Sequence, residues 1–177
     1  MVRCVRVSKL AVTVLLLPAS LSAAPREDKD LVDRLVLNPT LKTFVNLIAK
    51  AGMLETLKAE GPFTVYAPND AAFAKLPPTL LSAIKKDKVL LKKFLTYHMT
   101  AGRSETKDFK EGAVKSLSGE TFTITVKKEL RINGGKFVAI DEMADNGVIH
   151  VIDTVLIPPT MVKLVPRPIP AVQVKAP

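Results

Sequence analysis

Histidine is the side chain best able to exchange a proton or hold a metal near neutral pH, and this 177-residue sequence has two, His98 and His150. Its one cysteine, Cys4, lies ahead of the apolar run of a leader and leaves with it, so a metal site would need oxygen ligands such as Asp141, Glu142 or Asp145. The run Asp141-Glu-Met-Ala-Asp145 lacks the alternating oxygens and distal glutamate of a calcium loop. An acidic turn ahead of Asn146-Gly147 accounts for it. The sequence holds no Gly-x-Ser-x-Gly elbow, no His-Glu-x-x-His helix and no phosphate loop around Gly134-Gly135-Lys136. No pair of carboxylates stands out for acid–base work, so the expectation is a protein with no catalytic residue, no metal and no cofactor.

The elements around the histidines explain them structurally. Asp87 suits the cap of a helix in which Leu90, Leu91, Phe94 and Leu95 form a buried face, while Lys88, Lys92 and Lys93 meet water. From Tyr97 onward the pattern reads as strand, which puts His98 at the handover. An imidazole there satisfies buried backbone groups or the Asn69–Asp70 turn. His150 shares a face with Val148 and Ile152, opposite Ile149, Val151 and Asp153, and reads as a core histidine on a strand.

Gly61-Pro-Phe-Thr-Val-Tyr-Ala-Pro-Asn-Asp-Ala-Ala-Phe73 is a strand that breaks at Pro68 and restarts as a helix, with Asn69 or Asp70 as its cap and Phe73 turned inward. Upstream, Leu31 to Leu37 is a short apolar segment, and Asn38-Pro39 suits the cap and first residue of the next helix. That helix carries Leu41, Phe44, Val45, Ile48 and Ala51 on one stripe and ends at Gly52, before a shorter one with Leu54 and Leu57. A further short helix holds Leu80, Leu81 and Ile84. Downstream, turn signals at Ser118-Gly119, Asn133-Gly-Gly135 and Asn146-Gly147 separate strands: Phe122, Ile124 and Val126 alternate with threonines, Leu130 and Ile132 pair back, and Val138 and Ile140 begin the next. Helices gather first and antiparallel strands follow, so the class is α+β, rich in β, and not a doubly wound sheet.

The ends read differently. Arg3, Arg6 and Lys9 precede an apolar run from Leu10 to Leu17 and small residues to Ala24, so residues 1–23 are read as a signal peptide, cut after Ser22, Ala23 or Ala24. The run is too short for a transmembrane anchor. Residues 24–30 form a polar segment, residues 31–158 the domain, and residues 159–177 a proline-rich basic tail, an extended segment or a recognition element. The formal charge of +9 includes three cations in the leader and three in the tail, Lys163, Arg167 and Lys175. Lys85, Lys86, Lys88, Lys92 and Lys93 then read as a solvated helix face, and the absence of tryptophan argues against nucleic acid as a partner.

Three ordered motifs resemble the fasciclin domain family over about Leu31 to Pro158. Gly61 to Phe73 is similar to its first signature, with Thr64, Ala67, Pro68, Asn69, Asp70 and Phe73 as scaffold positions and Asn69 where threonine is common. Leu95-Thr-Tyr-His-Met99 is similar to its central tyrosine–histidine motif. Asn146 to Ile157 is similar to its closing signature, with Asn146, Gly147, His150 and Asp153. The resemblance implies a wedge of antiparallel strands packed against several helices, exported to a cell surface, matrix or periplasm. It also implies a single-domain bacterial type and a non-enzymatic adhesion or interaction module with a protein or glycan partner. In animal members the pair matching Tyr97-His98 is linked to receptor adhesion, which makes Tyr97, His98 and Met99 the binding candidates, against a structural role for His98. The alternative is a carrier of a small apolar ligand, lipid or pigment, in a groove lined by Met53, Leu57, Phe109 or Met143.

Overall fold

A computed structural model describes residues 29–58 and 61–162; the expected signal peptide and the tail from Lys163 lie outside the described residues. The helices come first: α1 (Leu31–Leu37), α2 (Lys42–Ala51), α3 (Leu54–Lys58), then β1 (Phe63–Pro68), α4 (Asp70–Ala74), α5 (Pro78–Lys86) and α6 (Lys88–Tyr97). Strands β2 (Met99–Ala101), β3 (Gly112–Lys115), β4 (Thr121–Val126), β5 (Leu130–Ile132), β6 (Gly135–Ala144) and β7 (Gly147–Ile152) follow, and α7 (Pro159–Val162) closes the described chain.

One stretch that the sequence leaves unassigned gains its structure, and two local expectations are corrected. The apolar stretch Leu31–Leu37 is itself a helix, capped by the Asp30 carboxylate, which accepts the Asp33 N–H at 2.8 Å. Asn38 does not cap α2. Its side-chain oxygen closes a local turn on the N–H and hydroxyl of Thr40, and the Thr43 N–H near the start of α2 goes instead to the Asp70 carboxylate, 27 residues away, at 2.8 Å. Tyr97 belongs to α6, because the buried face of Leu91, Phe94 and Leu95 continues through it, and the strand starts only at Met99. Gly52 does end α2, in the left-handed region at φ 70°, and Asp87 does cap α6.

The strands form one sheet in the order β2-β1-β7-β6-β5-β4-β3. Every pairing is antiparallel except β1 with β7, which run parallel from Phe63 against Gly147 to Pro68 against Ile152. That pair lies inside the sheet, one strand in from the β2 edge, and β7 is buried along its whole length. Pro68 is tolerated because it is the last residue of its strand.

Two hydrophobic cores result. The larger lies between the helices and β1, β7 and part of β6, and includes Phe44, Ile48, Val65, Phe94 and Ile149. The smaller lies under the β3–β5 end and is built on Tyr66, Tyr97, Phe122, Ile124 and Ile152. Burying each such side chain contributes about 2 kcal/mol.

Candidate functional site

The Tyr97-His98-Met99 segment sits where the two cores meet, and each of its side chains is at most 2% exposed. Tyr97 turns into the smaller core, edge-on to Phe122, and its hydroxyl donates to the Thr121 carbonyl at 2.9 Å. Met99 turns into the larger core opposite Val65. His98 ends α6 with both ring nitrogens engaged: Nδ1 bonds to the Phe94 carbonyl at 2.9 Å, and Nε2 accepts the Leu156 N–H at 3.1 Å. A carbonyl accepts only, so Nδ1 carries the proton and Nε2 is the bare nitrogen. Burial pushes the His98 pKa down to about 4, and the ring is neutral. His98 therefore fastens α6 to the segment after β7, and Tyr97 fastens it to β4. The Asn69–Asp70 turn, an expected partner of His98, is satisfied elsewhere.

His150 serves a matching purpose on the other side. Its Nδ1 accepts the Asp141 N–H at 3.2 Å and its Nε2 donates to the Ser104 carbonyl at 2.9 Å, while the ring stacks on Tyr66 with centroids 5.5 Å apart. Burial lowers its pKa also. Thr64 grips the same loop, donating to the Gly102 carbonyl and accepting the Ser104 N–H. Asp141, at φ 55°, accepts the Thr106 N–H, so the loop between β2 and β3 is pinned at several points.

The remaining signature positions are also fasteners. The Asn69 side chain accepts the Ala72 N–H at 2.7 Å and caps α4, and its backbone N–H reaches the Ile152 carbonyl. Ala67 and Phe73 fill the larger core. Asn146 accepts the Leu31 N–H and donates to the Leu57 carbonyl, tying α1 and α3 to the β6–β7 turn. At Gly147 a Cβ would meet the Phe63 carbonyl and the Leu31 side chain, so the close parallel approach of β7 to β1 requires glycine there. Asp153 accepts the N–H of Lys136 and the Thr154 hydroxyl, and pairs with Lys75 at 3.7 Å. The sequence reading did not separate these tying roles from one another.

Surface features lie elsewhere. Val138 and Ile140 on β6 are 58% and 46% exposed and line a hollow of about 350 Å³ with Leu130, Phe137, Glu129 and Lys136. A second hollow of about 550 Å³ is lined by Thr125, Lys127, Lys128, Glu129 and Arg131. Two register shifts between β6 and β7, flanking Ala139, coincide with this exposed stretch, and no glycine within it marks them in the sequence. The four residues expected to line an apolar groove do not converge: Met53 and Leu57 are in the larger core, Phe109 packs on the smaller one, and Met143 lies at the surface beside Arg103. Among the described residues no group of three or more His, Cys, Asp or Glu could hold a metal ion, and no helix is long and apolar enough to cross a membrane.

Comparison with known proteins agrees with this geometry. The Fasciclin domain model matches residues 39–158. The chain is 43% identical over 127 residues to Protein sll1483 of Synechocystis sp., covering 69% of each. It is 33% identical over 128 residues to the cell surface glycolipoprotein MPB83 of Mycobacterium bovis, covering 69% of this chain and 57% of that one. Among solved structures, a FAS1 domain pair from the insect cell adhesion molecule fasciclin I superposes with a TM-score of 0.59 at 17% identity, over 73% of this chain and 51% of that one. That likeness is one of fold.

Proposed function

The chain belongs to the fasciclin domain family, and on that premise we propose that it is an exported, non-enzymatic interaction module that contacts a protein or glycan partner at a cell surface, matrix or periplasm. The observation that carries the reading is the contrast between its interior and its surface. Both histidines are consumed by backbone hydrogen bonds, whereas Val138 and Ile140 stand exposed beside Lys136 and Glu129. An apolar centre with a charged rim is the composition of a contact surface. The leader, residues 1–23, supports export, and the basic tail offers a second point of attachment. Tyr97, His98 and Met99 contribute from the interior, where Tyr97 ties α6 to β4, His98 ties it to the segment after β7 and Met99 fills the larger core.

Affinity capture from the native compartment tests this, with the parent chain compared with Val138→Asp/Ile140→Asp. The double variant keeps the parent's unfolding midpoint, since both side chains are exposed, and loses at least about ten-fold in partner recovery. Equal recovery by both chains would sink the assignment of this surface. Tyr97→Phe keeps the packing, gives up one hydrogen bond and leaves recovery unchanged.

A further inference from the structure

The positive charge of the fold is concentrated on three helices. Helices α2, α5 and α6 carry seven lysines and, counting the Asp87 cap between α5 and α6, a single carboxylate. Elsewhere among the described residues, twelve Lys and Arg face thirteen Asp and Glu. Lys93 pairs with Glu120 at 2.7 Å, and none of the other six lysines takes part in an ion pair among the described residues. The Asp87 carboxylate is engaged by the N–H groups of Val89 and Leu90 at the start of α6.

Five of these seven lysines gather around one corner. Lys85, Lys86 and Lys88 bracket the α5–α6 turn, Lys92 follows Lys88 one helical turn on, and Lys50 of α2 faces Lys85 across a hollow of about 270 Å³ also lined by Thr43, Asn46 and Leu47. On the first turn of α6, next to Lys88 and three residues before Lys92, Val89 is 75% exposed. Water gives an apolar tip in that position no favourable partner, whereas the headgroup–acyl boundary of a bilayer does. All the cations are lysine, and the three arginines among the described residues lie on other elements. Lysine acts as a point charge without the planar fork that reads a shaped anion, which suits a fluid array of phosphates. The face also carries no exposed aromatic for stacking on bases.

We propose that the α2/α5/α6 lysine corner, with Val89 as its apolar tip, docks the domain on an anionic phospholipid bilayer surface. Beside this corner, Thr160 of α7 donates to Glu120, which also pairs with Lys93 of α6. This surface is separate from the β6 hollow, and its test does not involve the partner captured there.

Vesicle co-sedimentation of the chain from residue 24 onward, tail included, decides the matter. Vesicles of phosphatidylcholine with about a third phosphatidylglycerol should bind it, phosphatidylcholine alone should not, and binding should fall about ten-fold or more as salt rises from about 0.05 to 0.3 M and the screening length shortens. Lys85→Gln/Lys86→Gln/Lys88→Gln should lose most of the binding with an unchanged unfolding midpoint. Val89→Ser should weaken it several-fold at an unaltered salt slope. Lys127→Gln/Lys128→Gln, on the β4–β5 hairpin, should bind as the parent does. Equal binding to both vesicle types, full binding by the triple variant, or binding of a soluble polyphosphate without binding to vesicles would each overturn the proposal.

Discussion

At the scale of single residues, a buried neutral histidine makes stability depend on pH. His98 has a folded-state pKa of about 4 against an ordinary value of 6.5, so between those values the unfolded chain binds a proton that the folded chain refuses. Its contribution is complete above pH 6.5 and is lost as pH falls through about 4, a loss of about 3 kcal/mol at roughly 1.4 kcal/mol per unit. His150 is lowered too and acts in the same direction. Urea unfolding from pH 7.5 to 4 should show a falling midpoint, and His98→Gln, less stable at neutral pH, should fall less steeply; parallel profiles for the two chains would contradict the assignment. The sequence placed both histidines in the interior by their apolar neighbours. It did not show their partners, because Leu156 and Ser104 are supplied by segments distant in the chain.

At the scale of elements, helix starts and strand contacts separate local from distant causes. The Asn69 cap of α4 is local, three residues from the N–H it accepts, and was legible in the chain. Asn69→Ala should cost about 1 kcal/mol and Asn69→Asp or Asn69→Thr much less, read as shifts in the unfolding midpoint. The cap of α2 was misplaced on Asn38 because Asp70, which receives the Thr43 N–H, comes from beyond β1. Gly147 marks the distant case among strands. Gly147→Ala forces a Cβ against the Phe63 carbonyl, and it should cost about 3 kcal/mol, near the upper end for overpacking. An unchanged midpoint in that variant would mean that β1 and β7 can separate without penalty.

At the scale of the whole molecule, the parallel β1–β7 pair joins the helical first half to the stranded second half. A chain ending at Ala101 keeps all the helices from α1 to α6 and loses β7, so it should show helical signal without cooperative unfolding, by circular dichroism against urea. A sharp two-state transition in that fragment would show that the helices carry their own core. The amino-acid order by itself determined the helices, the hairpins, the α+β class and the family resemblance, because capping, periodicity and turn chemistry act over a few residues. Tertiary structure alone decided that β1 and β7 run side by side, that Tyr97, His98 and Met99 are sealed between two cores, and that lysines from three helices meet at one corner. Those facts depend on which distant segments share the same space, and that follows from packing two cores at once, which no local pattern encodes.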